Sequence, residues 1–440
     1  MKCLLALCVA LFGTIVQAQE KAAVKAKLIK PASAVKRINY LSQAQVWKSQ
    51  NIEALDLIAG PTISNAFQFD ESIKCQYSKS GRLASNGNSR KFECLDNNQK
   101  KLKIKYTITE QDLTYFSGLT DPNPKAKGRK FLASEQLVAL KDQTNKEVFA
   151  EVAATRLLWA LGFGVDNMYA VQVSCVGCPL DPMEGVGPGL NAPMSFVSRY
   201  AAIERKLPAL EIGMKEDQGW TWEELEANAG VFPAANEPAN KRVHYEALKL
   251  VAAFIQHGDR KAEQQRLVCE QTTTKDLMGD SKGIFAEQNE PVCTSTLAYI
   301  HDLGATFGGA GSTTNGNSAK MNLKQWSGKS VFNEALYQKT KKVRNGVENG
   351  VCRATLGISM AASGGMGDPL IREEGRAFLG ELLKRFRDAG KVKDLFRVSR
   401  VEGVGDTVEA WEMAFNNKVD QILSKTCCVP NALGDACLNN

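Results

Sequence analysis

Histidine is scarce in this chain: His244, His257 and His301 are the only three among 440 residues. Dinuclear hydrolase sites gather more imidazoles than that, so a metal-dependent hydrolase built on His257, Asp259, His301 and Asp302 would be short of ligands. The G-x-S-x-G elbow of serine hydrolases is missing. So is the G-x-G-x-x-G loop that cradles phosphates; Gly81, Asn86, Gly87 and Asn88 are a weak substitute for it. The single C-x-x-C, Cys175-Val-Gly-Cys178, has no second pair and no paired histidines to complete a zinc site, which favours a structural disulfide. A strong basic stripe interleaved with aromatics is absent, and no nucleic-acid partner is expected. Past the N-terminus no window approaches about 20 consecutive apolar residues, so no transmembrane segment is expected either. No internal repeat is visible.

The N-terminus carries a different signal. Lys2, the apolar run from Cys3 to Val16 and the compact Val16-Gln17-Ala18 read as a secretory leader cut after Ala18. The expectation is an exported protein, periplasmic or secreted. Formal net charge is +7, mildly basic, and removal of the leader takes away one lysine. With 44% apolar and 23% charged residues, the chain has the make-up of a globular protein and not of a disordered one. Between Glu20 and Lys48 there are seven Lys or Arg and one acid, which reads as a solvated basic lead-in. Of twelve cysteines, Cys3 and Cys8 leave with the leader; the remaining ten, an even number, read as a disulfide framework.

Residues 20–60 are partly helical in pattern, and Gly60-Pro61 marks a break. From Ile73 to Thr107 short strands follow. Strands at 73–78 and 90–95 would form a hairpin with Cys75 roughly opposite Cys94, which predicts a disulfide. In Lys101–Thr107 the residues Leu102, Ile104 and Tyr106 share one face, and Lys101, Lys103 and Lys105 the other. Residues 108–145, with Pro122 and Pro124, read as an insertion. Glu147–Phe163 is a helix with Glu151 near its middle; an acid on an otherwise apolar face requires a basic partner if buried. A strand runs up to Cys175, a Gly- and Pro-rich loop spans Pro179–Pro193, and order resumes at MSFVSRYAAIER. The helix His244–Ile255 delivers the chain into a charged turn, FIQHGDRKAEQQRLVC. Strand-like runs at Arg266–Cys269 and Leu297–Ile300 bracket a polar excursion, which predicts a Cys269–Cys293 disulfide. The second run ends in His301-Asp302-Leu303-Gly304. EEGRAFLGELLKRFRDAG and Val408–Leu423 are the strongest later helices, and Cys427, Cys428 and Cys437 staple the tail to the body.

In order, the chain offers a strand lysine (Lys105, with Lys103 on the same face), a helix glutamate (Glu151), a turn His257-x-Asp259-x-Lys261-x-x-Gln264, and Asp302 after a strand. Phosphoryl transfer uses such parts: a lysine on phosphate oxygens, a glutamate holding that lysine, one aspartate to orient or deprotonate the acceptor, and another with an amide oxygen to hold a divalent ion. The turn spacing and Asp-Leu-Gly resemble the protein-kinase-like superfamily, in its atypical branch of lipid-kinase-like and secretory-pathway kinases, over residues 67–310. The runs KIKYT, EVFAEVAATRLLWALGFG, CVGCPLDP, HGDRKAEQQRLVC and HDLGATFG are similar to an uncharacterised family of exported bacterial proteins. Gln264 stands where such kinases carry Asn, and Leu303 where Phe is usual.

The resemblance implies an α+β, two-lobed kinase-like fold stapled by disulfides. Residues 61–180 would form a small β-rich N-lobe and 181–440 a larger, mainly helical C-lobe, after the leader (1–18) and the lead-in (19–60). It implies ATP and Mg²⁺ or Mn²⁺ as cofactors, and a nucleotide and an acceptor as partners. Asp259, with Lys261 and His257, would be catalytic, Lys105 or Lys103 with Glu151 would serve the nucleotide, and Asp302 with Gln264 the metal. His257 is expected to cap its helix or to hydrogen-bond Asp302. A kinase-like scaffold without catalysis is the alternative reading, and a metal-dependent hydrolase the next.

Overall fold

Alternation in the lysine-rich strand marks one face for burial, and in the computed structural model of the chain that strand is part of a barrel. The structure describes residues 28–29, 34–63, 66–78, 90–108, 145–178, 195–207, 209–212, 219–231, 240–273, 292–310, 319–333, 351–357 and 366–427. The expected leader, residues 81–88, the 109–144 part of the insertion, the Pro179–Pro193 loop, Cys428 and Cys437 lie outside them.

In chain order the first elements are β1 (Leu28–Ile29), α1 (Ala34–Gln43), β2 (Glu71–Tyr77), β3 (Lys91–Leu95) and β4 (Lys101–Thr107). Next come α2 (Glu147–Leu161), β5 (Gly164–Val165), β6 (Asn167–Val176), β7 (Ser195–Arg205) and β8 (Leu210–Ile212). Then follow α3 (Trp222–Val231), α4 (Asn240–Phe254), β9 (Gln265–Thr273), β10 (Val292–Ile300) and α5 (Leu323–Ser327). The last are β11 (Val351–Arg353), β12 (Leu370–Arg372), α6 (Glu373–Asp388), α7 (Lys391–Val398) and α8 (Val408–Ser424). The result is a mixed α+β protein with antiparallel sheets.

Strands β2-β3-β4-β7-β6 close a barrel whose seam is the parallel β2–β6 pair. Leu102, Ile104 and Tyr106 point inward to Phe92, Val171 and Ile203, so the apolar half of the alternation fills the barrel. Its lysine half lies outside, where Met168, Ala170 and Ala202 pack against Val148 and Val152 of α2. A second sheet, β1-β8-β9-β10-β5, with the helices α4, α6, α7 and α8, encloses the larger apolar core. Of MSFVSRYAAIER, whose ordered type the pattern left open, Ser195–Arg205 is the strand β7, which pairs with both β4 and β6.

Among the described residues four disulfides are formed: Cys75–Cys94, Cys175–Cys178, Cys269–Cys293 and Cys352–Cys427. One detail corrects the hairpin expectation. Cys94 lies opposite Tyr77 and not Cys75, and β2 and β3 pair only over Gln76–Tyr77. Before that point β2 is laddered to β6, with Cys75 level with Cys175. The Cys75–Cys94 bridge is therefore diagonal, and it holds two strands together where their ladder has already ended.

Helix α2 is buried on every side except at Trp159. The chain ahead of the barrel covers part of it: Trp47 donates from Nε1 to the Leu161 carbonyl at 2.6 Å, and Lys48 N–H to Gly162 O at 2.8 Å. Gly162 sits at φ 92° and a Cβ there would lie 2.0 Å from Lys48 O, so the helix end and the lead-in share one glycine. The basic lead-in is thus core structure over its second half, with Leu41, Val46, Ile52 and Leu57 all buried.

The C-terminal helices reach the barrel through Arg400, buried at the end of α7 with φ 59°. Its guanidinium donates to Val171 O (3.2 Å), Arg199 O (2.5 Å) and Ala201 O (2.6 Å), at the irregularity where β6 and β7 slip register after Val171. A bulge leaves carbonyls without ladder partners, and the planar fork supplies the missing donors. Replacing Arg400 by Ala is expected to lower unfolding free energy by about 3 kcal/mol or more, because buried carbonyls are orphaned. Arg400→Lys, with one donor head, is expected to recover less than half of this in urea titrations.

Candidate functional site

The outer face of β4 carries Lys103 and Lys105 to the place where α2 crosses the barrel. Lys105 Nζ lies 2.5 Å from Glu151 Oε1 and 3.6 Å from Glu204 on β7, with the lysine and both acids buried. Burial disfavours the lysine's charge, but Glu151, Asp302, Glu204 and Glu147 outweigh it and hold its pKa well above the ordinary value. Burial pushes Glu151 upward against the pull of Lys105, and its Oε2 has no partner among the described residues. Lys103 lies 2.5 Å from Glu204, the acid that Lys105 also approaches. Burial opposes the ionised form of Glu204, yet the two lysines bring it down to about 2.

The charged turn follows α4, whose apolar face (Leu250, Val251, Phe254) is wholly buried. Gln256, at φ 52°, turns the chain out of the helix. His257 then points into the interior. It neither caps the helix through its side chain nor bonds Asp302: both ring nitrogens lack a partner among the described residues. Burial first, and then the Arg260 charge, lower its pKa to about 3, so the ring is neutral. Arg260 is the anchor of the turn, donating to His257 O (2.7 Å), Met366 O (2.5 Å) and Gly357 O (3.3 Å). Trp222 Nε1 reaches the Arg260 carbonyl at 3.2 Å from α3. These supports leave Asp259 on the solvent side. Its Oδ2 accepts from Gln264 Nε2 at 3.2 Å, and Lys261 Nζ is 3.6 Å from Oδ1. Burial raises the Asp259 pKa, Lys261 opposes that, and the Asp302 charge adds to it.

Asp302 follows β10. Its Oδ1 accepts from Gly304 N–H at 3.0 Å. Burial works against ionisation, but Lys105 and the Gly304 amide draw the carboxyl down to about 2. Gly304 is required by close approach: a Cβ would lie 2.3 Å from Glu147 Cγ. Glu147 is itself ion-paired to the buried Lys320. Thr306 Oγ1 reaches Ala150 O at 3.3 Å, so the Asp-Leu-Gly segment is fastened to the first turns of α2. His301 is tied on both sides: its Nδ1 bonds Asp166, and its N–H donates to Gln264 O at 2.7 Å. Asp166 also accepts from Leu207 N–H at 3.3 Å.

The structure thus brings Lys105 and Glu151 together, sets Asp302 within their field, and joins Asp259, Lys261 and Gln264 in one turn. Lys103 shares the Glu204 carboxylate with Lys105, and the His257 ring makes no hydrogen bond to any of these groups. The four residues of the hydrolase reading do not converge. Among the described residues, the His and acid ligand atoms that gather within 4.8 Å belong to Asp166, Glu204 and His301. That group is already compensated by Lys103, Lys105 and the His301–Asp166 bond. Sequence reasoning missed Glu204, Asp166 and Arg260. Arg260 alone had a local signal, as the arginine between Asp259 and Lys261.

No family model matches the sequence, and no curated protein matches it. Among solved structures the chain is similar to a proinflammatory kinase of Helicobacter pylori, CtkA, at 9% identity and a TM-score of 0.32, over 80% of this chain and 93% of that one. A likeness this loose is no more than a distant kinase-like hint. No helix among the described residues is long and apolar enough to cross a membrane.

Two measurements test this electrostatic arrangement. Lys105→Met leaves Glu151 uncompensated and is expected to destabilise the fold by about 3–5 kcal/mol. The Lys105→Met, Glu151→Leu double variant is expected to be more stable than the lysine variant alone in the same urea titration. For His257, the folded pKa of about 3 lies below the ordinary 6.5, so its neutral state supports the fold above pH 6.5 and that support drains as pH falls towards 3. Over that window stability should fall by about 1.4 kcal/mol per pH unit through this group. His257→Leu should remove that component of the slope, as read by thermal unfolding across pH.

Proposed function

We propose that this chain is a kinase-like phosphotransferase of two-lobed design, taking a nucleoside triphosphate with a divalent ion and acting outside the cytoplasm. The observation that carries the reading is the buried Lys105–Glu151 pair, 2.5 Å apart, facing an aspartate drawn down to about 2. A lysine held charged in a dry setting is suited to phosphate oxygens, and the glutamate fixes where it points. Four disulfides support an oxidising compartment.

Asp302 and the amide oxygen of Gln264, whose nitrogen is directed to Asp259, are hard oxygen donors of the kind Mg²⁺ or Mn²⁺ takes. A divalent ion held there would neutralise charge on the phosphates. Asp259, its pKa raised by burial, is suited to orient the acceptor hydroxyl and take its proton. The acceptor oxygen bonds to the terminal phosphorus as the bridging oxygen leaves with the nucleoside diphosphate. Lys261, more than a third exposed beside Asp259, is suited to meet the transferred group. His257 has no part in the reaction; its ring packs beneath the turn.

One observation favours the second reading, a nucleotide-binding module without catalysis: the Asp259 carboxylate, the expected base, already accepts from Gln264 Nε2 and lies beside Lys261. Purified, oxidised protein with ATP and Mg²⁺ or Mn²⁺ separates the two. Phosphotransfer predicts thermal stabilisation by nucleotide and label transfer, with Asp302→Ala losing both and Asp259→Ala keeping stabilisation but losing at least about a hundredfold in transfer. Stabilisation without transfer in the native protein selects the binding module. No nucleotide effect with either ion overturns both.

A further inference from the structure

Cys75 lies on β2, the barrel strand that has β3 on one side and β6 on the other. Its disulfide reaches to one neighbour, Cys94 on β3. On the other side Cys175 of β6 stands level with it in the parallel ladder. The side chains of all three, and of Cys178, belong to the apolar interior of the barrel. Neighbouring strands lie about 4.8 Å apart, within the Cα separations of about 4.4–6.8 Å that a disulfide spans. Cys75 therefore has two cysteines within bonding reach and is bonded to one. Across three adjacent strands the order is Cys175, Cys75, Cys94. A thiolate attacks a disulfide along the sulfur–sulfur axis, from the side away from the leaving sulfur. Cys175 is on that side of Cys75.

Cys175 is itself held by Cys178, in a ring that closes over a sequence separation of 3, against 19, 24 and 75 for the other three bridges. The stabilisation a disulfide gives grows with the loop it closes, so this one contributes least. Both sulfurs are buried, but the turn between them faces outward: Val176 is 53% exposed, and Gly177, at φ 74°, has open space where a Cβ would stand. The Cys75–Cys94 bridge, by contrast, joins two strands whose ladder has only two residue pairs.

We propose that these four cysteines form a thiol–disulfide exchange centre. A dithiol reductant opens Cys175–Cys178, and Cys175 then takes Cys75 from Cys94. In the first step the dithiol gives two electrons and two protons and becomes a disulfide, which leaves Cys175 and Cys178 as thiols. In the second, Cys175 gives up its proton and its sulfur bonds to that of Cys75. The bond from Cys75 to Cys94 breaks, and Cys94 leaves as a thiolate that takes a proton. One disulfide, Cys75–Cys175, then remains, across the β2–β6 seam. Strand β3 is released from β2 while it stays laddered to β4, where Cys94 faces Leu102. The covalent tie has moved from the hairpin to the seam. The exchange needs no nucleotide and stands apart from the phosphotransfer reading.

The full oxidised protein is titrated with dithiothreitol, quenched in acid, alkylated and mapped by mass spectrometry. Cys94 and Cys178 should be alkylated together, with Cys75 joined to Cys175 and with Cys269–Cys293 and Cys352–Cys427 intact. In the Cys175→Ser, Cys178→Ser double variant, alkylation of Cys94 at the same dithiothreitol concentration should slow by about tenfold or more, since the internal thiol is gone. That variant should melt close to the native protein, because the ring it loses is short. The native map decides even if the variant does not fold. Cys175 and Cys178 recovered as thiols beside an intact Cys75–Cys94 bridge would overturn the exchange. So would opening of all four disulfides together, or release of Cys94 as fast in a folded double variant as in the native protein.

Discussion

Two opposite charges, on Lys105 and Glu151, lie 2.5 Å apart with almost no water around them, and much of the architecture follows from keeping them there. Neither charge is tolerable without the other in that setting. The strand that brings the lysine must stay in register, and the helix that brings the acid must not roll. The barrel secures the first condition, since Leu102, Ile104 and Tyr106 are locked into its interior. The second is met by enclosure: Val148 and Val152 face the barrel, and Phe149, Ala153 and Leu157 face the larger core. A helix enclosed except at Trp159 has one position, and that position keeps the pair formed.

The same economy of position extends to the other acids. Asp302 is held by the Gly304 amide, Gly304 is pressed against Glu147, and Thr306 bonds the carbonyl of Ala150. A shift of α2 would therefore displace Asp302 as well as Glu151. The turn bearing Asp259 is held from elsewhere, by Arg260 on the carbonyls of Gly357 and Met366. Gly357 follows β11 and Met366 precedes β12, a strand pair tied to the segment after α8 through Cys352–Cys427. So the two aspartates answer to different parts of the fold, one to the helix beside the barrel and one to the C-terminal segments.

Much of this was legible wherever the information is local. The alternation of Leu102, Ile104 and Tyr106 against three lysines gives a strand and both its faces. An acid within an apolar helix demands a cation, and Glu151 has one. The Cys269–Cys293 bridge is visible because two short apolar runs bracket one excursion. What stayed hidden depends on register and on distant chain. Cys75 and Cys175 stand level only through the β2–β6 ladder. Glu204 lies on a strand whose start adjoins a loop of Gly and Pro, and Arg400 acts on the barrel from 229 positions beyond Val171. The role expected of His257 was misread because the motif spacing fixes where the backbone goes and not where the ring points. Only burial and the neighbouring Arg260 decide that.

The segment ahead of the barrel has a further consequence. Gln45 exchanges backbone hydrogen bonds with Thr296 and Ala298, Glu53 is gripped by Arg385 at 2.7 and 2.8 Å, and Lys391 donates to Leu55 O at 2.6 Å. The partners of Gln45, Glu53 and Leu55 thus arrive more than two hundred positions later in the chain, and those of Trp47 and Lys48 at the end of α2 more than a hundred later. On a ribosome, or in any channel that feeds the polypeptide from its first residue, this stretch emerges early and then waits. Its apolar side chains, Val46, Ile52 and Leu57 among them, stay available to a chaperone until the last helices appear. Completion of the fold is therefore a late, long-range event, slow by the measure of contact order. A chain truncated before α6 would lack the means to bury its own beginning.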